Sequence, residues 1–167
     1  MLSRETRNMG YTHYWFLSGE IPPETWELIR RDSEKLIKAL PDSIEDFWVD
    51  DTEIGFNGGC ETFFLSREGN DRGCCKTGHV PCDKLICAIL SIAQEHHPAL
   101  SVSSDVLLGV KPDGWADACA WASQVLGRKV SLPWSSSPDA STDELTDARP
   151  SGLRGVWRSA LRLLNLG

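Results

Sequence analysis

The chain has 167 residues, of which 41% are hydrophobic and 25% are charged, so it is long enough for one ordinary hydrophobic core. Its formal net charge of -7 argues against general nucleic-acid binding, because that binding depends on clustered lysine and arginine. No apolar run approaches the roughly 20 residues of a membrane span, and the first residues lack the apolar centre of a secretory signal. We therefore expect a soluble, cytoplasmic protein with one domain and no transmembrane segment.

The six cysteines are spread along the chain, at positions 60, 74, 75, 82, 87 and 119. Their spacings do not match the short paired spacings of a zinc knuckle, and a disulfide framework is unusual in an intracellular protein of this size. We therefore expect most of them to be small core residues and expect no metal site. A metal or redox centre formed by Cys75, Cys82 and His79 is the less favoured alternative.

An aromatic and β-branched segment near the start, residues 10–17, predicts a strand. Bulky side chains lie on both of its faces, so we expect a central strand that is covered on both sides. His13 shares its face with Tyr11 and Trp15, and a lone histidine among aromatic residues is more often a structural group than a catalyst. Apolar residues at 3.6-residue spacing then predict a helix over 21–40.

The acidic segment 42–53 follows this helix and contains six carboxylates without a lysine or an arginine. Phe47, Trp48 and Val49 lie at its centre. We interpret the segment as a solvated loop with an aromatic anchor. A divalent-cation site is the alternative, although the regular Asp and Gly spacing of a calcium loop is missing.

Glycine and other turn residues organise the middle of the chain. Gly58 and Gly59 predict a tight hairpin between strands at 52–57 and 60–66, because glycine readily takes the positive φ values of such a turn. A second turn leads into a short strand that ends at Lys76. The remaining predicted elements are a nearly all-apolar helix over 81–96, a strand over 99–104 and a helix over 115–126 that ends at Gly127.

These elements predict an α+β fold, a two-layer α/β sandwich with a mixed five-stranded sheet in the order β-α-β-β-β-α-β-α. We expect the globular domain to span 9–132, after an N-terminal extension at 1–8. Residues 133–152 are rich in Ser, Pro, Asp and Thr and predict a disordered linker. Residues 153–167 predict an amphipathic helix, and docking of Leu153–Leu166 on its own domain or on a protein partner is favoured over a membrane surface.

The segment 73–83 is the predicted centre of a functional site. Lys76 and Thr77 end a strand, while Pro81 and Asp83 suit the first turn of a helix. Free backbone N–H groups and a lysine therefore meet at one point. That arrangement suits a small anion, a nucleotide or another polar ligand, but it specifies neither a reaction nor a cofactor.

Three residues are candidate catalytic groups in this hypothesis. Lys76 would hold an anionic group of the ligand, and His13 or Glu61 would move a proton. Glu61 is equally a candidate partner of Lys76. Seven further residues at strand ends and turns are predicted to bind the ligand: Asn57, Thr77, His79, Asp83, Ser103, Ser104 and Asp105. The hypothesis requires that His13, Lys76 and Asp105 gather at one edge of the sheet.

A second functional hypothesis belongs to a different class. The acidic segment 42–53 and the terminal helix together suit a non-enzymatic accessory or inhibitor protein that binds a macromolecular partner. If the polar candidates line one concave pocket, the ligand-binding hypothesis gains, and if they are dispersed and paired internally, the partner-binding hypothesis gains.

Several short motifs resemble, in order, a family of small uncharacterised proteins of tailed bacteriophages and bacteria. They are Met9-Gly-Tyr-Thr-His-Tyr-Trp15, Phe56-Asn57 with Glu61-Thr62-Phe63, Cys75-Lys76-Thr77 with Pro81 and Asp83, Ser103-Ser104-Asp105, and Trp115. The resemblance runs from about residue 9 to 127 and implies that Met9 corresponds to the usual family start. It also implies that residues 1–8 and the tail after about 132 are additions. No activity is established for that family, so the resemblance narrows the origin more than the function.

The loop before the second helix departs from the family pattern. Relatives more often resemble Cys-Lys-Thr-Ala-Arg-Lys-Pro-Tyr-Asp, where this chain has Gly78, His79, Val80 and Cys82 in place of Ala, Arg, Lys and Tyr. Two cations and a phenol are therefore missing. If the loop binds an anion in the relatives, we expect weaker anion binding here, or a protonated His79 that supplies part of the positive charge.

Overall fold

The computed structural model describes residues 11–40, 44–59, 61–69, 72–77, 80–105 and 113–134. Its elements in chain order are β1 (Thr12–Leu17), α1 (Pro23–Ala39), β2 (Glu45–Val49), β3 (Glu53–Asn57), β4 (Phe63–Ser66), β5 (Arg72–Lys76), α2 (Asp83–His96), β6 (Leu100–Ser104) and α3 (Asp113–Leu126). The predicted mixture of helices and strands is confirmed. The predicted extension 1–8 and helix 153–167, with all but two residues of the predicted linker 133–152, lie outside the described residues.

The strands form two sheets, and the prediction of one mixed five-stranded sheet in a two-layer sandwich is wrong. One sheet has the order β5-β1-β6 and the other the order β2-β3-β4, and every pairing is antiparallel. A hairpin at this place is confirmed by the pairing of β3 with β4, but its loop is longer than the tight turn predicted at Gly58 and Gly59, because Phe56 pairs with Phe63. The two sheets separate after β4, because β5 pairs with β1 instead of continuing the meander.

The interpretation of 42–53 as a loop is also wrong, because Glu45–Val49 forms strand β2. Its aromatic residues find partners on β3, where Phe47 pairs with Phe56 and Trp48 with Gly55. A β-carbon on Gly55 would overlap the indole of Trp48, so glycine at this position makes room for the ring. Cross-strand packing of this kind outweighs the low strand propensity of the neighbouring carboxylates.

Strand β1 is central in its sheet, as predicted, but only one of its faces is covered. His13, Trp15 and Leu17 are buried, whereas Tyr14 is 42% exposed and Phe16 is 38% exposed. The buried face packs towards the helices and positions His13 inside the protein. The open face carries the aromatic residues that the sequence pattern also placed in the interior.

Helix α2 occupies the centre of the core and packs against both α1 and α3. Every residue from Leu85 to Ala93 is buried, which matches its nearly all-apolar sequence. The two neighbouring helices each contribute one apolar stripe, formed by Trp26, Ile29, Leu36 and Ile37 on α1 and by Trp115, Ala118, Cys119 and Ala122 on α3. None of the described helices combines the length and apolar character that crossing a membrane requires.

A cluster of ion pairs around the buried Asp32 joins the three helices near the C-terminal end of α2. Arg128 follows α3 and donates from Nη2 to Oδ2 of Asp32 on α1 at 2.8 Å, and from Nη1 to Glu95 on α2 at 2.8 Å. Burial by itself raises the pKa of Asp32, but the hydrogen bond and the charge of Arg128 outweigh it, so the pKa lies below the usual value. Asp32 therefore stays ionised and fixes the helices to one another.

Candidate functional site

His13 is the centre of a buried group of polar side chains. It lies on the covered face of β1, directly opposite Ser104 on β6, and it is fully buried. Its Nδ1 is 2.9 Å from Oγ of Ser104, and its Nε2 is 2.7 Å from Oδ1 of Asp83. Because a carboxylate can only accept, Nε2 carries a proton and donates it to Asp83.

Asp83 reaches His13 because it begins α2. The backbone N–H of Asp83 donates a hydrogen bond to the carbonyl of Val80 at 3.0 Å, in the turn that leads into the helix. A negative charge is favoured at this end of a helix. The second oxygen, Oδ2, accepts a hydrogen bond from the hydroxyl of Tyr11 at 2.6 Å. Tyr11, Asp83, His13 and Ser104 thus form one hydrogen-bonded series, which we name the polar chain.

The charges along the polar chain follow from its surroundings. Burial by itself raises the pKa of Asp83, but hydrogen bonds to His13, Tyr11 and Thr77 outweigh burial and hold the pKa below its usual value. Burial raises the pKa of Tyr11, and the hydrogen bond to Asp83 raises it further. The polar chain therefore contains an ionised Asp83 and a neutral phenol that donates to it.

Two further side chains enclose the imidazole of His13. Cys87 lies one helical turn after Asp83, is fully buried, and has its Sγ 3.6 Å from Nε2 of His13. Burial is the main reason that the pKa of this thiol lies well above its usual value, with Asp83 as a second cause. The indole of Trp115 on α3 meets the imidazole edge to face, with ring centres 5.0 Å apart. These contacts exclude solvent from His13.

An open pocket of about 430 Å³ lies beside the outer end of the polar chain. Tyr11 and Asp83 form part of its wall, and the other lining residues are Leu40, Val80, Pro81, Lys84, Gly114 and Asp117. Gly114 lies close to the carboxylate, since a β-carbon there would be 3.6 Å from Oδ2 of Asp83. His13 and Ser104 lie behind this wall, so a ligand in the pocket meets only Tyr11 and Asp83 of the polar chain.

A second pocket, of about 360 Å³, lies on the open face of the β5-β1-β6 sheet. Tyr14, Phe16 and Arg72 line it, with the Arg72 guanidinium 5.5 Å from the centre of the Phe16 ring. None of the residues of the polar chain lines this pocket. We therefore place the candidate site at the pocket beside Asp83.

The structure brings four of the predicted site residues together. His13, Asp83 and Ser104 belong to the polar chain, and Thr77 is buried beside it, with its N–H donating to the carbonyl of Tyr11 at 3.0 Å. Sequence reasoning missed Tyr11, Cys87 and Trp115 as members of the site. Two positional signals were present, because Tyr11 lies two residues before His13 on the same strand face and Cys87 lies four residues after Asp83 on α2.

Glu61, Lys76 and Asp105 lie on the surface, apart from the polar chain. Lys76 is exposed at the end of β5, opposite Thr12, and its backbone N–H donates to Oε2 of Glu61 at 2.8 Å. Oδ2 of Asp105 accepts from the N–H of Thr12 at 3.2 Å. His13, Lys76 and Asp105 thus share one end of the sheet, but only the side chain of His13 faces the core.

Three predicted ligand-binding residues remain. Ser103 is exposed on the open face of β6, opposite Tyr14. Oδ1 of Asn57 accepts a hydrogen bond from the hydroxyl of Thr62 at 2.6 Å, at the end of the β3–β4 hairpin. His79 lies outside the described residues, as does its predicted role in a metal or redox centre.

Comparisons with protein-family models, with curated proteins and with solved structures give no significant match for this chain. The resemblance to a phage and bacterial family therefore stays a prediction. The polar chain and its pocket are therefore the basis for proposing a function.

Proposed function

We propose that the chain binds a small polar ligand in the pocket beside Tyr11 and Asp83. The observation that carries the proposal is an ionised, nearly buried carboxylate held at the wall of an open pocket. Asp83 is 8% exposed, and its two oxygens are oriented by His13 and Tyr11 at 2.7 and 2.6 Å. A carboxylate has about four lone-pair positions, and the hydrogen bonds to His13, Tyr11 and Thr77 occupy three of them, so about one position remains for a ligand.

The charges around the pocket favour a ligand that donates hydrogen bonds or carries a positive charge. Two carboxylates, Asp83 and Asp117, line the pocket together with one ammonium group, that of Lys84. The ammonium lies over the ring of Trp121, with its nitrogen 5.2 Å from the ring centre. Lys76, which was expected to hold an anion, is not among the lining residues. An amino, guanidino or hydroxyl group therefore suits the pocket better than the small anion expected from sequence.

The same geometry favours binding over proton transfer. A general base works best when its pKa lies near the operating pH, and the pKa of Asp83 lies below the usual value for an aspartate because its hydrogen bonds outweigh its burial. The groups expected to move a proton, His13 and Glu61, do not line the pocket. We therefore propose a binding protein, with Asp83 as the group that selects the ligand.

The test is a thermal-shift screen of the wild-type protein against two matched sets of compounds. One set contains amines, guanidines and polyols, and the other contains phosphates and carboxylates. A ligand present at about 100 times its Kd stabilises by about 2.7 kcal/mol, which corresponds to a Tm increase of roughly 5–10 °C for a chain of this size. We expect such shifts from the first set and not from the second.

Two variants locate the binding event. Asp117→Asn removes one pocket charge without changing the side-chain size, and Gly114→Val fills the space next to Asp83. Both are expected to reduce the ligand-induced shift, while Glu68→Gln, an exposed change outside the pocket, leaves it intact. Stabilisation by anions alone, or a shift that survives Gly114→Val unchanged, would overturn the proposal.

One observation supports the partner-binding alternative as a second candidate function. Strand β2 is an outer strand of its sheet, and it presents Glu45, Asp46 and Phe47, which is 55% exposed. Acidic groups beside an exposed aromatic ring suit an extended basic peptide. Fluorescence anisotropy with lysine-rich peptides is expected to show salt-sensitive binding that Phe47→Ser weakens. Equal binding by wild type and Phe47→Ser would exclude this surface. The predicted contribution of Leu153–Leu166 falls outside the described residues.

A cytoplasmic location is part of the same proposal. Three of the cysteines that the structure describes, Cys74, Cys87 and Cys119, are free thiols. Persistent free thiols are typical of reducing compartments. Free thiols counted in protein purified without reductant test this point, and a disulfide that involves any of these three positions would contradict it.

A further inference from the structure

We infer that His13, Asp83 and Cys87 bind a divalent transition-metal ion, with zinc as the best match to the three donors. Imidazole nitrogen, carboxylate oxygen and thiolate sulfur are the ligands that zinc takes in proteins. One donor atom from each side chain lies within 4.8 Å of the other two. Among the residues that the structure describes, this is the one cluster in which three such donors meet. The inference concerns atoms beneath the pocket and stands whether or not an organic ligand binds above them.

The distances are close to those of a tetrahedral site. With metal–nitrogen and metal–oxygen bonds of about 2.1 Å and a metal–sulfur bond of about 2.3 Å, neighbouring donor atoms lie roughly 3.3–3.6 Å apart. Nε2 of His13 and Sγ of Cys87 are already 3.6 Å apart. Nε2 and Oδ1 of Asp83 are 2.7 Å apart, a hydrogen-bond distance that has to lengthen by roughly 0.6 Å when an ion replaces the shared proton.

The backbone places the three donors without strain. Asp83 and Cys87 are four residues apart on α2, so their side chains project from the same face of the helix. His13 faces them from β1, whose position is fixed by antiparallel pairing on both sides. The site therefore joins a helix to the central strand of a sheet.

Two outer hydrogen bonds orient the ligands. A metal-bound imidazole carries its proton on the other ring nitrogen and donates it to a nearby acceptor. Oγ of Ser104, 2.9 Å from Nδ1 of His13, is such an acceptor. Because a hydroxyl both donates and accepts, Ser104 serves the metal-free and the metal-bound tautomers of His13 equally. Tyr11 donates to Oδ2 of Asp83 and holds the carboxylate in position. Ser104 and Tyr11 are positioning residues in this site.

The charge and proton balance suits a buried site. On binding, the ion takes the place of the proton on Nε2 of His13, and Nδ1 carries a proton that it donates to Ser104. The thiol of Cys87 loses one proton to solvent and becomes a thiolate, and Asp83 is ionised already. A dication with one thiolate and one carboxylate has a net charge of zero, which avoids the cost of burying an unpaired charge. Each ion bound therefore releases at least one proton, that of Cys87.

The experiment is a Co²⁺ titration of the full-length protein, stripped of metal by a chelator and kept reduced. Co²⁺ replaces zinc in such sites and reports a thiolate ligand by an intense near-ultraviolet charge-transfer band. We expect one equivalent to produce this band in the wild type, at least one proton to be released per ion, and Zn²⁺ to displace the Co²⁺. A folded wild-type protein without this band would overturn the inference.

Matched variants identify the ligands. Cys87→Ala is expected to abolish the charge-transfer band, whereas Cys119→Ala, an equally conservative change at another buried cysteine, keeps it. Ser104→Ala is expected to keep the band but to weaken Co²⁺ affinity roughly 10- to 100-fold, as loss of an outer hydrogen bond does. A band that survives Cys87→Ala would place the ion on another thiol and contradict the assignment. Circular dichroism of each variant checks that the fold is intact.

Discussion

The polar chain predicts a graded loss of stability when Asp83 is replaced. In the wild type, Nε2 of His13 is 2.7 Å from Oδ1 of Asp83. Asp83→Ala removes this acceptor and leaves the buried ring N–H of His13 without one. A buried donor left without a partner costs about 1–3 kcal/mol, and hydrogen bonds to charged groups contribute about 1.5–3 kcal/mol each. Tyr11 loses less, because its hydroxyl can turn to water in the open pocket. We expect Asp83→Ala to lower the free energy of unfolding by about 3 kcal/mol.

Asp83→Asn is expected to cost much less, because the polar chain can adapt to an amide. The amide NH₂ can donate to Nε2 of His13 once the imidazole carries its proton on Nδ1, and the Ser104 hydroxyl, 2.9 Å from Nδ1, then accepts that proton. The amide oxygen still accepts from Tyr11. Only the charge is lost, so we expect a change of about 1 kcal/mol.

Urea unfolding, followed by circular dichroism, measures both changes. The slope of the transition should be the same in all variants, so that the midpoints report stability. Asp117→Ala and Asp117→Asn are the matched controls, because Asp117 is an exposed carboxylate that lines the same pocket. Both are expected to stay within about 0.5 kcal/mol of the wild type. The reasoning fails if Asp83→Ala costs less than about 1 kcal/mol, or if Asp83→Asn costs as much as Asp83→Ala.

Three further predictions test other parts of the structure. Gly73 lies opposite Trp15, whose indole occupies the space of a β-carbon, so Gly73→Ala is expected to cost about 2–3 kcal/mol in urea unfolding. Gly114→Ala has room and is expected to stay within about 1 kcal/mol, so the reverse order would contradict the packing. Arg128 holds the pKa of Asp32 below its usual value despite burial, so this pair stabilises the fold above pH 4 or so and loses its contribution as pH falls through the lower folded pKa. Asp32→Asn is therefore expected to be less stable at pH 7 and to lose less stability on acidification, and parallel pH profiles would argue against the ion pair. Cys74 is exposed while Cys75, Cys82, Cys87 and Cys119 are buried, so mass spectrometry after brief alkylation should find Cys74 labelled first among these five. Labelling of Cys87 as fast as Cys74 would show that solvent reaches the side chains around His13 and would contradict their burial.

Local patterns were enough to predict the helices and most strands. The 3.6-residue spacing of apolar residues indicates α1, and the nearly all-apolar sequence indicates α2. Gly58-Gly59 indicates a hairpin between β3 and β4. Strand β2 was missed because its acidic residues indicate a loop, while the feature that makes it a strand is the fit of Trp48 over Gly55 on β3. That fit depends on which strands pair, and no local pattern reports it.

The division into two sheets has the same cause. Neighbours in sequence usually pair, which favours β4 beside β5. In the structure β5 pairs with β1, more than fifty residues earlier, and its junction with β4 is made by Glu61, which accepts the N–H of Lys76 at 2.8 Å. The backbone carbonyl of Glu61 also accepts a hydrogen bond from the thiol of Cys75 at 3.4 Å, and contacts of this kind cannot be read from hydrophobic alternation.

The candidate site was predictable where a residue type and a strand position agreed. His13 and Ser104 lie on inward-facing positions of paired strands. Asp83 begins a helix whose start is predicted by the preceding turn residues. Lys76 was expected in the site, but side chains alternate between the two faces of a strand. Lys76 lies on the exposed face of β5 with Cys74, while Cys75 lies on the buried face. The pairing of His13 with Asp83 depends on tertiary packing and was not available from the sequence.

The most direct test of the central claim is the protonation state of His13 in the metal-free protein, read by nitrogen-detected NMR of the imidazole ring. The structure predicts a proton on Nε2 that exchanges slowly with water, because it is buried and donated to Asp83 over 2.7 Å. That signal should disappear in Asp83→Ala and remain in Asp117→Ala. A His13 ring whose Nε2 carries no proton in the wild type, or exchanges it as fast as an exposed histidine, would contradict the polar chain.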